Sequence, residues 1–234
     1  MNEKKLSLQL SRSKIMTTLI YVAITLLILN CLSLYLHYVL GYPSVKGFVP
    51  KFDFDEENNV PTYFSSLLLL ISAILLFWAS VSAKQAYNKY AKHWGALSII
   101  FLFMSLDETA SFHELLIDPL REMFNLSGYF YWSWVILGTI IVFILAISYI
   151  GFLLDLPPKV RNTIILAAAL YLGGVIGMEM ISGNYYSVNG QNLIYAVLTT
   201  IEETLEIAGL ILLIKILFDY LFVSSPSLEI KLEG

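Results

Sequence analysis

Six apolar windows recur along this chain, near residues 15–40, 62–83, 94–117, 130–154, 162–184 and 192–222. At roughly 1.5 Å per residue of helix, each is long enough to cross about 30 Å of hydrocarbon. Lipid admits only helices and closed barrels, because every backbone N–H and C=O must find its partner without water. Windows of this length read as helices, so the expected fold class is all-α, an integral membrane bundle of about six transmembrane helices. The composition agrees. With 58% hydrophobic and 14% charged residues in 234, and a positive mean hydropathy, the chain falls outside the range of soluble domains.

The joints carry stop signals: Pro43 and Pro50, the polar Lys84 to Lys92 segment, Pro119, Pro157 with Pro158, and a turn over Gly183 to Gln191. These divide the chain into an N-terminal segment 1–14, one transmembrane domain 15–222 with an outer loop 41–61, and a tail 223–234. The first window is too long for a signal-peptide core and reads as a retained helix. Lys4, Lys5, Arg12 and Lys14, then Lys84, Lys89 and Lys92, then Lys159 and Arg161, then Lys231 all fall on one side, with only Lys46, Lys51 and Arg121 on the other. By the positive-inside rule both termini are expected in the cytoplasm. Aromatic belts are expected at Tyr129, Tyr131, Trp132 and Trp134 and at Tyr185 with Tyr186.

The basic residues are dispersed and the net charge is -4, so a nucleic-acid partner is not indicated. Cys31 stands alone and is read as packing, with no disulfide framework or thiolate cluster. The loop acids Asp53, Asp55, Glu56 and Glu57 lack the glycine and the closing glutamate of a calcium loop and are read as solvated. His37 and His93 are read as interfacial, Asn30 as an interhelical hydrogen-bond partner, and Asp118 as the N-cap of a short interfacial helix.

Seven carboxylates lie well inside the windows, away from Lys215 and Asp219 near the inner end of the last: Asp107, Glu108, Glu114, Glu179, Glu202, Glu203 and Glu206, with His113 beside them as a side chain able to carry positive charge. Each ionised carboxylate near a bilayer centre costs roughly 2.5 to 3.5 kcal/mol, so something must neutralise them. Counting from the helix starts places all seven between the midplane and the outer leaflet. At about 100° per residue, Asp107, Ser111 and Glu114 share one narrow face of the third helix with Glu108 and His113 flanking it on opposite sides, and on the sixth Glu202, Glu203 and Glu206 occupy about a quadrant. Gly173 with Gly177, and Gly209, are read as points of close helix approach. One shared site opening outward is the economical arrangement, with Asp107, Glu108, His113, Glu114, Glu179, Glu202, Glu203 and Glu206 as candidate metal ligands.

An oxygen-rich, imidazole-poor set suits Ca²⁺, Mg²⁺ or Mn²⁺; zinc wants more histidines and a helical di-iron centre wants paired Glu-x-x-His motifs. Shared protons are the other neutraliser. The leading functional reading is cation binding for transport or sensing. The alternatives are a metal-dependent or acid-catalysing enzyme acting on a lipid, and a partner protein whose acids hold helices in register. Substrate and oligomeric state stay open.

The runs Pro61–Ser66, Ser105-Leu106-Asp107-Glu108-Thr109-Ala110-Ser111-Phe112-His113-Glu114, Gly177–Met180 and Glu202-Glu203-Thr204-Leu205-Glu206 resemble those of an uncharacterised family of bacterial multi-pass membrane proteins with LDE-x4-HE and EE-x2-E motifs. The resemblance implies an inner-membrane location and groups the acidic positions together. It implies no substrate.

Overall fold

The computed structural model describes residues 7–222 and 227–231; Lys4 and Lys5 of the basic N-terminal segment lie outside the described residues. Apart from an antiparallel pairing of β1 (Ser7–Ser11) with β2 (Ser227–Lys231), the regular structure is helical. The elements are α1 (Arg12–Leu34, continued by a π-helical turn to Val39), α2 (Phe48–Phe52), α3 (Val60–Gln85), α4 (Ala91–Ala110) and α5 (Ile117–Phe124). They continue with α6 (Trp134–Ser148), α7 (Ile150–Asp155), α8 (Pro158–Leu172), α9 (Glu179–Asn189) and α10 (Leu193–Leu221).

Three continuous helices are long and apolar enough to cross a membrane: Arg12–Val39, Val60–Gln85 and Pro158–Asn189. A fourth crossing is available if α4 and the His113–Phe124 segment, bent by 79° to one another, count as one. Besides that bend in the third window, two more of the six expected windows differ. The window 130–154 is divided into α6 and α7 at Tyr149, and 192–222 is the single 29-residue helix α10, interrupted in composition by Glu202, Glu203, Glu206, Lys215 and Asp219. The expected turn over Gly183–Gln191 is narrower, because α9 runs through Gly183 and stops only at Gly190, whose φ of 66° no ordinary helix residue adopts.

Polar starts and serine contacts fix the frame. Asn59 caps α3 by accepting from the Thr62 N–H at 3.0 Å, and Asn192 caps α10 by accepting from Ile194 and Tyr195. The α3–α4 hairpin is laced by hydroxyl-to-backbone bonds: Ser66 to the Ser105 carbonyl at 2.7 Å, Ser105 to the Ser66 carbonyl at 2.9 Å, and Ser98 to Ala73 at 2.8 Å. Small hydroxylated residues let two backbones approach where lipid gives no hydrophobic drive for association. The core continues from Leu68, Leu69 and Leu76 of α3 into Leu210, Ile214 and Leu217 of α10 and ends on Trp94, which meets Phe152 edge-to-face and stacks on Tyr220.

Glycine contacts are displaced from their expected positions by one register. Nothing lies within 4 Å of a side chain placed at Gly173 or Gly177, whereas at Gly174 a Cβ would meet the Glu206 Cγ at 2.6 Å and the Glu202 carbonyl oxygen at 2.7 Å. The cause is the π-helical turn Gly173–Met178, whose wider turn rotates the following residues relative to a regular helix. Gly209 meets its expectation, pressed against Ala167 and Tyr171 of α8. Cys31 does not: it is exposed on the outside of α1.

Candidate functional site

The third window does not run straight through its carboxylates. Helix α4 stops at Ala110, Ser111 takes a left-handed φ of 50°, and a 3₁₀ turn His113–Leu116 follows. Neither glycine nor proline marks this break. Asp107 marks it: the Ser111 N–H closes the last α-helical bond to the Asp107 carbonyl at 2.7 Å, and the side chain then takes over, Oδ1 accepting from the His113 N–H at 2.9 Å and Oδ2 pairing with His113 Nδ1 at 3.0 Å. A short polar side chain thereby satisfies donors that a continued helix would have used. The expected face shared by Asp107, Ser111 and Glu114 is lost, and Glu114 is instead carried beside His113. Asp118 is not the N-cap of α5; Leu116 holds that place, and Asp118 in the first turn pairs with Arg121.

The 41–59 segment, expected as a solvated acidic loop, is docked into the bundle. Val49, Asp53, Phe54 and Asn59 are buried. Asn30 explains the docking: its Oδ1 accepts from the Phe54 N–H at 2.9 Å while its Nδ2 donates to Thr200 Oγ1 at 2.9 Å, so one buried amide ties α1, the segment and α10 together. The expected interhelical role of Asn30 is thus extended to a loop. Burial pushes the Asp55 carboxyl up to about 6, with the like charges of Asp53 and Glu56 adding to it, and Asp55 accepts from Gln191 at 3.1 Å. Burial likewise raises Asp53, and the Asp55 N–H offsets part of that.

Docking brings Glu57 to the broken helix. Ligand atoms of Glu57, His113 and Glu114 lie within 4.8 Å of one another, and Ser111 and Asp107 lie beside them. With Nδ1 engaged by Asp107, Nε2 is the imidazole nitrogen left to face a ligand. Glu57 was not among the candidate ligands read from the sequence. Its only signal there was its place in an acidic run, and the pairing spans more than fifty residues.

The other acids separate into two arrangements. Glu179 accepts from Trp134 Nε1 at 2.9 Å and faces Glu202 within hydrogen-bond reach; Ser182 Oγ donates to Glu202 at 3.4 Å. These two are supplied with partners. Trp134, expected in an aromatic belt, is therefore part of the site and also packs its ring 4.9 Å from that of His113. The remaining acids, Glu108, Glu203 and Glu206, neighbour one another and Tyr171 of α8. Glu203 stands between these deep acids and the histidine group, with Glu57, Glu179, Asp55 and His113 around it. The eight expected ligands are thus on adjoining elements, but among the described residues the group of three whose ligand atoms all lie within 4.8 Å of one another joins His113 and Glu114 to Glu57 of the loop.

No curated protein and no solved structure matches this chain. A family model, Domain of unknown function (DUF8692), matches residues 19–221, a span that takes in every helix bearing these acids. The chain belongs to this uncharacterised family.

Proposed function

We propose that this protein is a multi-pass membrane protein that binds a divalent cation through Glu57, His113 and Glu114, for ion transport or sensing. The observation that carries the reading is the convergence of two carboxylates and one imidazole within 4.8 Å, on segments far apart in sequence. Carboxylate oxygens alone suit Ca²⁺ or Mg²⁺, while an added imidazole favours a metal that also accepts nitrogen, such as Mn²⁺. Asp107 fits the outer partner of a metal-bound histidine, holding Nδ1 and fixing the ring.

In this reading α10 and the α6–α7 pair also cross the membrane, giving six spans with both termini cytoplasmic in a bacterial inner membrane. Two features support it. At about 1.5 Å per residue α10 is about 43 Å long. The β1–β2 pairing, with Arg12 donating to the Phe218 carbonyl, brings the start of α1 and the end of α10 to one side, as an even number of crossings between them requires.

Isothermal titration of the detergent-purified protein with Mn²⁺ tests the cation. Saturable binding is expected in the wild type, and its loss in both His113→Ala and Glu57→Gln. A folded wild type that takes up no Mn²⁺, Ca²⁺ or Mg²⁺ would sink the proposal. The Asp107–His113 pair also has the geometry of an acid–base imidazole, which favours the lipid-directed enzyme as the second reading. That version predicts turnover of an added lipid, lost in His113→Ala.

A further inference from the structure

The deep acids pose a different chemical problem from the histidine group. Glu206 is only 7% exposed, midway along α10, and no hydrogen-bond donor reaches its carboxyl among the described residues. The titratable groups facing it are Glu203 and Glu202 from its own helix, Glu108 from α4, Tyr171 from α8, Glu179 from α9 and Glu57 from the docked segment. None of these is a lysine or an arginine.

Gly174 shows that the side chain is seated there by the packing. A Cβ at 174 would lie 2.6 Å from the Glu206 Cγ, so the helix approach accommodates this glutamate and nothing bulkier beside it. A buried carboxylate with neither counter-ion nor donor costs several kcal/mol, and adjacent carboxylates add to the cost. The deep acids are also not gathered as Glu57, His113 and Glu114 are, so one bound ion is not positioned to neutralise them.

We propose that Glu206 is a proton-carrying site, holding an exchangeable proton inside the bundle near Glu108 and Tyr171, distinct from the histidine group. The exchange moves a proton alone: the O–H bond of the acid breaks as one forms on a neighbouring carboxylate or water oxygen, and nothing is oxidised or reduced. This goes beyond cation binding and does not require it.

Infrared spectroscopy of the full-length protein in lipid, in H₂O and D₂O at neutral pH, reads the proton directly. The wild type is expected to show a protonated-carboxyl C=O band that shifts in D₂O, that disappears in Glu206→Gln and that returns, displaced, in Glu206→Asp. An unchanged spectrum in Glu206→Gln, or a band that does not respond to D₂O, overturns the proposal. Mn²⁺ titration separates the two readings. Glu206→Gln is expected to retain the wild-type stoichiometry, and loss of Mn²⁺ binding in that variant would make Glu206 a ligand of one common metal site and overturn the separate proton site.

Discussion

The histidine group stands on irregular backbone, with Glu57 at the end of a docked segment and His113 and Glu114 on a 3₁₀ turn, whereas Glu203 and Glu206 stand on one unbroken helix. The difference decides what each can do. Irregular backbone collects side chains from distant parts of the chain and brings their ends together. A straight helix sets acids at fixed angles along a face and leaves their approach to whatever packs opposite, which here is a single glycine. The first arrangement suits gripping an ion and the second suits carrying protons between separated oxygens.

Gly174→Ala attacks the helix side of this contrast and carries the largest expected effect. The new methyl would meet the Glu206 Cγ at 2.6 Å and the Glu202 carbonyl oxygen at 2.7 Å, so two backbones must separate. Thermal unfolding in detergent is expected to show a loss of about 1 to 3 kcal/mol. Gly173→Ala and Gly177→Ala, which face open space, are expected to stay within about 0.5 kcal/mol of wild type. Equal losses at all three positions would show that the π-helical register does not govern this contact.

Asp107→Asn breaks the irregular side. The amide can still accept from the His113 N–H, but the negative partner of Nδ1 is gone. Mn²⁺ affinity is expected to fall by about 10- to 100-fold, the usual cost of removing such a supporting carboxylate. The infrared band assigned to Glu206 should not move. A variant that binds Mn²⁺ as wild type would remove Asp107 from the site and leave it as the break-maker of α4 alone.

The smallest effect is a pH response in the docked segment that supplies Glu57. Asp55 is raised from 3.8 to about 6 by burial, so the docked state favours its protonated form. Its contribution to docking is complete below about 3.8 and is lost as the pH rises through about 6. Hydrogen exchange at the Phe54 amide, which Asn30 holds, should therefore quicken between about pH 4 and 6 beyond the intrinsic increase, and Asp55→Asn should flatten that change. An identical pH profile in wild type and variant would argue against this coupling.

Much of the helical frame was legible in the sequence because hydropathy and length are local properties. The acids of α10 were legible for the same reason: positions 202, 203 and 206 fall on one side of any helix. The break after Ala110 was not, since Asp107 and Ser111 are compatible with a continuing helix until the Asp107 carboxylate chooses the His113 N–H. Glu57 was hidden by distance along the chain, and Gly174 by one π-helical turn that moved the contact off the expected Gly173–Gly177 face. The number of spans was read from apolar length alone, and Tyr149 and the charges of α10 interrupt two of the windows on which that count rested.

Asn30 gives the site an order of assembly. A chain made from its N-terminus produces α1 and the 41–59 segment long before α10 exists, yet the amide that receives the Phe54 N–H is itself steadied by Thr200 of that last helix. The nascent protein thus carries an incompletely anchored acidic segment through most of its synthesis. Its docking is completed only when α10 arrives, so Glu57 is held beside His113 and Glu114 only once nearly all of the helical frame has been made.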